Sequence, residues 1–581
     1  MYDTFIHKEN GGYTIKQSLL ITFTFVIFGT GCKTSIPEKV ADHNNTITKP
    51  TAMVVSARPE VSEIGVQLMK EGGNAFDAMI AVEMALAIAY PFAGNLGGGG
   101  FMVYRLSDGS AGSLDYREKA PLAASHDMYL DDAGNPIPAK SREGALAVGV
   151  PGTIAGIYEV HKKLGSLPMS QILKPVIRLA RKGVVITEKQ KERLSKFHDD
   201  FVRINQDTIL FSRSYRVGDT LKNAALANTL SNISKSGRDL FYKGAIAKKL
   251  ISHLQKYGGI LTLQDLANYE AVWRDPIQFS YKDLKIISMG PPSSGGITLA
   301  QILKMIEPYP IKDYGYQSGS AIQLIVEAER RAYADRNHYL GDPDFVAIPM
   351  DSLVSSKYLS KRMQDFTFDH ATPSVKISSG DISGYESDET THYSIVDTQG
   401  NAVSVTTTLN GAYGSKLYNS ELGFFLNNEM DDFSAKPGSP NMFGLTGSQA
   451  NAIAPGKRML SSMTPTIVTK NDQLWMVVGT PGGSTIITSV LQTILNVYEY
   501  DMSMQEAVDQ PRFHHQWLPD KVIFEPNGFA VQTLDSLAGK GYVIDQSESR
   551  IIGKVDAILV KPDGSLEGGA DHRGDDAAVG F

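Results

Sequence analysis

Two threonines on either side of a predicted hairpin are the residues of this chain best placed to do chemistry. After Asp388-Glu389-Thr390-Thr391, residues His392 to Val396 suit a strand, Asp397 to Asn401 carry polar and glycine turn signals, and Ala402 to Leu409 resume a β-branched run. If Asp397 to Asn401 form the loop, Val396 pairs with Ala402 and the ladder brings Thr390 opposite Thr408, on one sheet face. A threonine hydroxyl is almost entirely protonated at neutral pH, so it needs a base within hydrogen-bond reach. Its own α-amine, freed by cutting the preceding peptide bond, titrates near pH ~8 and supplies that base. The chemistry this predicts is self-cleavage at Glu389-Thr390, which leaves Thr390 as an N-terminal nucleophile. An isolated Thr-Thr pair more often just starts a strand, so the surrounding residues must decide.

Those surroundings supply further parts. Leu474 to Gly479 reads as a strand, and Pro481-Gly482-Gly483 leads into a helix with apolar positions at Ile487, Val490, Leu491, Ile494 and Tyr498. Glycines just before a helix expose backbone N–H groups at its positive end, which suits a developing oxyanion. Asn427, Asn428, Glu429, Asp431 and Asp432 cluster acids and amides without the alternate spacing and distal Glu of a calcium loop, so an amine fits better than an ion. The glycine run Gly97 to Gly100 lacks a following G-K-[ST], so it predicts a tight backbone crossing beside the site and not a phosphate loop. No G-x-S-x-G nucleophile elbow is present. His514 and His515 are adjacent and would point apart on either a strand or a helix, which argues for a structural or interfacial role.

The elements that position these residues follow in order. Glu60 to Lys70 and Ala75 to Tyr90 predict helices, the second capped by Asn74 and apolar or small nearly all round, hence buried on both sides. Phe101 to Tyr104 and Leu114 to Arg117 make a hairpin that leaves Arg117 at a strand end. Between Pro151 and Tyr269 the periodicity is mostly helical: Ile154 to Lys163, Met169 to Lys182, Glu188 to Phe197, Leu226 to Ser236, Ala245 to Tyr257 and Leu263 to Tyr269. Strands return at Phe279 to Ser288, followed by a helix from Leu299 to Ile306. Ser434 to Ala454, rich in Gly, Pro and Asn, is a long loop suited to act as a lid.

Composition adds exclusions. With 581 residues, 42% hydrophobic, 20% charged and a formal charge of −7, the chain has an ordinary globular balance, and nothing basic invites nucleic acid. Cys32 is the single cysteine, so no intrachain disulfide forms. Lys16 precedes an apolar run from Leu19 to Phe28 that is too short to span a bilayer and ends in Gly29-Thr30-Gly31-Cys32, the pattern of a secretory signal. The cysteine at its end resembles that of a bacterial lipoprotein signal. The expectation is export to the periplasm with Cys32 lipidated, the alternative being an ordinary signal-peptidase cut nearby. The predicted organisation is signal peptide 1–32, polar tether 33–51, large subunit 52–389 and small catalytic subunit 390–581.

Thr390-Thr391-His392-Tyr393-Ser394 resembles the processing site of the γ-glutamyltransferases (glutathione hydrolases) of the N-terminal-nucleophile hydrolase superfamily. The likeness runs from about Met53 to Phe581. It is carried by Gly94-Asn95-Leu96-Gly97-Gly98-Gly99-Gly100-Phe101, Asp115-Tyr116-Arg117-Glu118, Asn427-Asn428-Glu429-Met430-Asp431-Asp432-Phe433, Ser461-Ser462-Met463 and Pro481-Gly482-Gly483-Ser484. It implies an α+β, four-layer αββα sandwich built jointly by two self-cleaved subunits that form a heterodimer. It also implies Thr390 as nucleophile, Thr408 hydrogen-bonding it, and Gly482 and Gly483 as oxyanion hole. Arg117, Ser461 and Ser462 would hold the α-carboxylate of a γ-glutamyl group, while Asn410, Glu429 and Asp432 would hold its α-ammonium. Glutathione and other γ-glutamyl compounds are the implied donors, with water, amino acids or dipeptides as acceptors and no cofactor or metal. Phe443 stands where some members place a lid tyrosine. A related acylase, or a processed but inactive binding module, are the competing classes.

Overall fold

The computed structural model describes residues 49–378, 390–436, 438–442, 444–445, 447–546 and 552–581. Cys32, Glu389 and Phe443 lie outside the described residues. From Lys49 to Phe581 the chain packs as one compact unit.

The predicted hairpin forms with the predicted register. Thr391–Val396 pairs with Ala402–Thr408 from Val396↔Ala402 to Thr391↔Thr407, and one further step sets Thr390 across from Thr408. This hairpin sits at the centre of a seven-stranded sheet ordered Ala577–Gly580, Met53–Ser56, Thr391–Val396, Ala402–Thr408, Gly99–Arg105, Ala111–Asp115, Val272–Arg274. A second sheet of six strands runs Leu566–Ala570, Asp556–Val560, Gln473–Gly479, Thr466–Lys470, Leu284–Ser288, Ile277–Tyr281. Every ladder in both sheets is antiparallel.

Side-chain alternation along the strands separates two environments. Val55, Phe101, Val103, Ile287, Val396, Ile467, Val477 and Ile558 form the apolar layer between the sheets. Tyr393, Ile395, Val403 and Val405 point the other way, into the core formed with the first layer of helices. The outer face of the second sheet packs Ile286, Val468, Met476 and Val478 on a second helical layer. The result is the expected four-layer αββα sandwich. Towards the Thr390 end the inter-sheet face turns polar, and the second sheet satisfies it: Ser394 Oγ donates to Asp556 O at 2.9 Å and Ser404 Oγ to Val478 O at 3.1 Å. His392 lies wholly buried between Thr406 Oγ1 (2.9 Å) and Ser394 Oγ (3.2 Å), and burial lowers its pKa to about 3.

Ala75–Ala89 is buried on every side, as its composition predicts, and Asn74 closes it with a capping box. Its mid-helix acid, Glu83, accepts from Tyr393 Oη (2.6 Å) and Thr407 Oγ1 (2.7 Å), which fastens the helix under both strands of the hairpin. Desolvation raises this carboxyl to about 7. The helical shell between Pro151 and Tyr269 holds all six predicted helices. One of them, Glu188–Asn205, runs well past Phe197 because Phe201 and Ile204 extend its buried stripe. Gly319–Tyr339, the longest helix described, was not anticipated. Its buried face carries Glu327, Glu329, Arg330, Arg331 and Arg336 beside the apolar residues, and those charges hide the periodicity.

Candidate active site

The polar end of the sandwich opens into a cleft of about 500 Å³ including its mouth. Thr390, Thr408, Gly483, Arg117, Asn410, Glu429, Asp432, Ser461 and Ser462, all singled out in the sequence, line it together. Gly482 adjoins it through Gly483.

They come from separate parts of the chain. Thr390 precedes the Thr391–Val396 strand and is 5% exposed. Across from it, Thr408 Oγ1 accepts from the Asn410 N–H at 2.7 Å, a contact made by the left-handed turn at Asn410 (φ 71°). The glycine run makes the close crossing expected of it: at Gly98 an added Cβ would overlap the Thr408 carbonyl oxygen. Asn427 then ties this crossing to the acidic segment, donating to Gly97 O (2.7 Å) and Gly149 O (2.9 Å) while its Oδ1 accepts from Glu429 N–H (3.0 Å).

The acidic cluster divides by task. Glu429 and Asp432, on the short helix Glu429–Asp432, both accept from the guanidinium of Arg117. Asp431 turns away to Ser141 Oγ (2.5 Å) and the Met442 N–H (2.8 Å), which holds the 434–454 loop over the cleft. Arg117 is fixed from behind: its N–H donates to Asp115 at 2.9 Å and its carbonyl accepts from Tyr269 Oη at 2.7 Å. Burial alone would lower its pKa, but the carboxylates of Glu429 and Asp432 outweigh that and hold it above the ordinary arginine value.

Glu118, which sequence reasoning quoted in a motif but gave no role, adds a third buried acid 3.8 Å from Arg117 Nη1. One guanidinium cannot neutralise three dehydrated carboxylates. Desolvation accordingly raises Glu118 to about 8, Asp432 to about 6 and Glu429 well above its usual range.

In the cleft lining, the buried acceptors Asn410 Oδ1 and Glu429 Oε2 have no hydrogen-bond partner among the described residues. The opposite wall offers donors. Ser461 Oγ accepts from the Met463 N–H (3.1 Å) and Ser462 Oγ accepts from Arg336 Nη2 (2.9 Å). Arg336, on the unanticipated Gly319–Tyr339 helix, is a second buried guanidinium in the lining that sequence reasoning missed.

Gly482 (φ 137°) and Gly483 (φ 54°) form the turn into the short helix Gly483–Thr485 and then Ile486–Tyr500. These backbone angles suit glycine. Among the described residues nothing accepts from either glycine N–H. The turn is braced by Thr485 Oγ1 donating to Gly482 O (2.7 Å), by Tyr333 Oη donating to Ser484 O, and by Ser484 Oγ donating to Gln516 (2.7 Å). His514 belongs to this brace, its Nδ1 2.9 Å from Thr488 Oγ1, and His515 lies 3.3 Å from Asp520, so the two histidines diverge as predicted.

The profile of the gamma-glutamyltranspeptidase family matches residues 61–581. The chain is 46% identical over 534 residues to a glutathione hydrolase proenzyme of Escherichia coli (strain K12), covering 91% of this chain and 92% of that one. Among solved structures, a gamma-glutamyltranspeptidase of Helicobacter pylori superposes with a TM-score of 0.55 at 41% identity, covering 58% of this chain and 97% of that one. A cephalosporin acylase of Bacillus halodurans superposes with a TM-score of 0.81 at 24% identity over 94% and 98% of the two chains, a likeness of fold. With this match over most of its length, the chain belongs to the gamma-glutamyltranspeptidase family.

Proposed function

We propose that Thr390, freed by self-cleavage after Glu389, attacks the γ-amide of glutathione and related γ-glutamyl compounds. Its α-amine takes the hydroxyl proton as the Oγ1–carbon bond forms. The Gly482 and Gly483 N–H groups stabilise the tetrahedral oxyanion, and the departing amine leaves with the proton. Thr408, held by the Asn410 N–H, orients Thr390 Oγ1. Water or the amino group of an amino acid or dipeptide then takes the γ-glutamyl group from the ester. One unit spans 52–389 and the other 390–581, associated as a heterodimer.

A single observation carries the substrate assignment: the cleft is divided into an acceptor half and a donor half. Asn410 Oδ1 and Glu429 Oε2, beside Asp432, present acceptors to a cation, and Ser461 and Ser462 on the opposite wall present hydroxyls to an anion, while Arg117 lies on the acid side, bonded to Glu429 and Asp432. An α-amino acid zwitterion complements both halves, and its ammonium supplies the positive charge that three acids around one guanidinium lack.

No helix among the described residues is long and apolar enough to cross a membrane. The apolar run before Cys32 supports export to the periplasm, with the chain held at a membrane by lipid on Cys32. The test of the central reading is maturation and turnover together. Wild-type protein should resolve into two associated pieces that hydrolyse a γ-glutamyl anilide faster when a dipeptide acceptor is added. Thr390→Ala should stay one inactive polypeptide and Thr390→Ser should still cleave. Clean cutting of Thr390→Ala would end the proposal.

A further inference from the structure

Arg336 is 3% exposed and lines the cleft, yet among the described residues no carboxylate bonds to it directly. Its donors go to neutral oxygens: Nε to Ser294 Oγ (3.0 Å), Nη1 to Asn337 Oδ1 (2.9 Å) and Nη2 to Ser462 Oγ (2.9 Å). Ser294 passes the contact on, its Oγ donating to Ser461 O at 2.7 Å and its N–H to the same oxygen at 2.8 Å. One guanidinium therefore reaches both serines of the donor wall, Ser462 directly and Ser461 through Ser294.

An arginine has donors only, whereas a serine hydroxyl has one proton and two lone pairs. By donating to Ser462 Oγ, Arg336 forces that oxygen to act as an acceptor on its buried side, so its own proton is directed elsewhere. Ser462 Oγ has no other hydrogen bond among the described residues, and the side left to it is the cleft. Ser461 Oγ is placed likewise by the Met463 N–H. Burial lowers the pKa of Arg336 to about 10, although Asp432 acts on it favourably from beyond ion-pair distance. An anion bound at the serines brings a closer negative charge to this guanidinium, whereas Arg117 is already bonded to Glu429 and Asp432.

We propose that Arg336 is a positioning residue for the substrate α-carboxylate: it fixes Ser462 as a donor into the cleft and contributes a positive charge, not held in a direct ion pair, that selects an anion there. This rests on the γ-glutamyl reading above and adds a determinant on a helix remote in sequence from the serines.

The experiment compares γ-glutamyl p-nitroanilide with 4-aminobutyryl p-nitroanilide, which lacks only the α-carboxylate. Losing a charge-assisted contact of this kind in Arg336→Gln should raise KM for the γ-glutamyl substrate about 10-fold or more, with kcat within about threefold. The 4-aminobutyryl substrate should be nearly unaffected, and Arg336→Lys, which still donates, should lose less. If Arg336 acts through Ser462, the double variant Ser462→Ala/Arg336→Gln should be no worse than Ser462→Ala alone, within roughly twofold. Equal losses on both substrates, or additive losses in the double variant, would overturn the proposal. Should Arg336→Gln fail to mature, Arg336→Lys and Ser294→Ala carry the same comparison, with a KM increase confined to the γ-glutamyl substrate expected and its absence refuting. A wild-type enzyme indifferent to the α-carboxylate would instead refute the γ-glutamyl reading itself.

Discussion

Replacing Asp432 by Asn tests the acceptor half of the cleft most directly. The side chain keeps its size and its hydrogen-bonding oxygen but loses its charge, at a position 9% exposed and bonded to Arg117. Arg117 retains Glu429, so the guanidinium is not stranded as a lone buried charge, and the penalty of breaking a buried pair outright is avoided. The loss should then reduce to one charge-assisted hydrogen bond to the substrate ammonium, about 1.5–3 kcal/mol, which is roughly 10- to 150-fold in kcat/KM. The assay compares γ-glutamyl p-nitroanilide with glutaryl p-nitroanilide, two substrates that differ only in the α-amine. Wild type should strongly prefer the first. In Asp432→Asn the γ-glutamyl rate should fall by that factor while the glutaryl rate stays within about threefold, and self-cleavage should proceed. Equal falls on both substrates would refute the assignment of Asp432 to the ammonium, and a wild type indifferent to the amine would favour an acylase.

Three further outcomes are expected. Arg117→Lys keeps the charge but not the planar fork that now reaches Glu429 and Asp432, so γ-glutamyl turnover should drop at least about 10-fold while maturation continues, read on a denaturing gel beside kinetics. Because burial raises Asp432 to about 6 and Glu118 to about 8, the ammonium competes with protons at low pH. KM should fall as pH rises through that range and level off above it, and a KM independent of pH would count against the ionised acids as its binding partners. Cys32→Ser should release the protein from the membrane fraction or stall its export, whereas soluble wild-type protein lacking Cys32 would leave only the ordinary signal peptide.

Local pattern carried much of the site. The hairpin register followed from one turn and a run of β-branched residues, and it set Thr390 against Thr408 without any tertiary information. The turn at Gly482-Gly483 was equally local. What could not be read was pairing at a distance. Arg117 and the acids Glu429 and Asp432, assigned to opposite ends of a substrate, bond to one another in the structure. Nothing in their spacing distinguishes the two arrangements. Glu118 adjoins Arg117 in the sequence, and nothing local shows that both are buried. Arg336 was missed because its helix buries charge on the same face as Ala328, Ala332 and Ile325, which blurs the apolar stripe from which a helix is read.

The order of strands bears on how the protein is lost once mature. Neither sheet belongs to one side of the Glu389-Thr390 bond: among the described residues four ladders join strands before it to strands after it, at Met53–Ser56 twice, at Gly99–Arg105 and at Leu284–Ser288. Cutting the bond breaks none of these ladders, so the native state is held by the same contacts before and after. The reaction order of refolding nevertheless changes. An uncut chain brings its halves together at the effective concentration of a tether, while two cut pieces must find each other at their bulk concentration. For a chain cut at the proposed bond, recovery from unfolding becomes bimolecular and competes with aggregation of exposed strand edges, so its lifetime is governed by how slowly the interleaved sheets open.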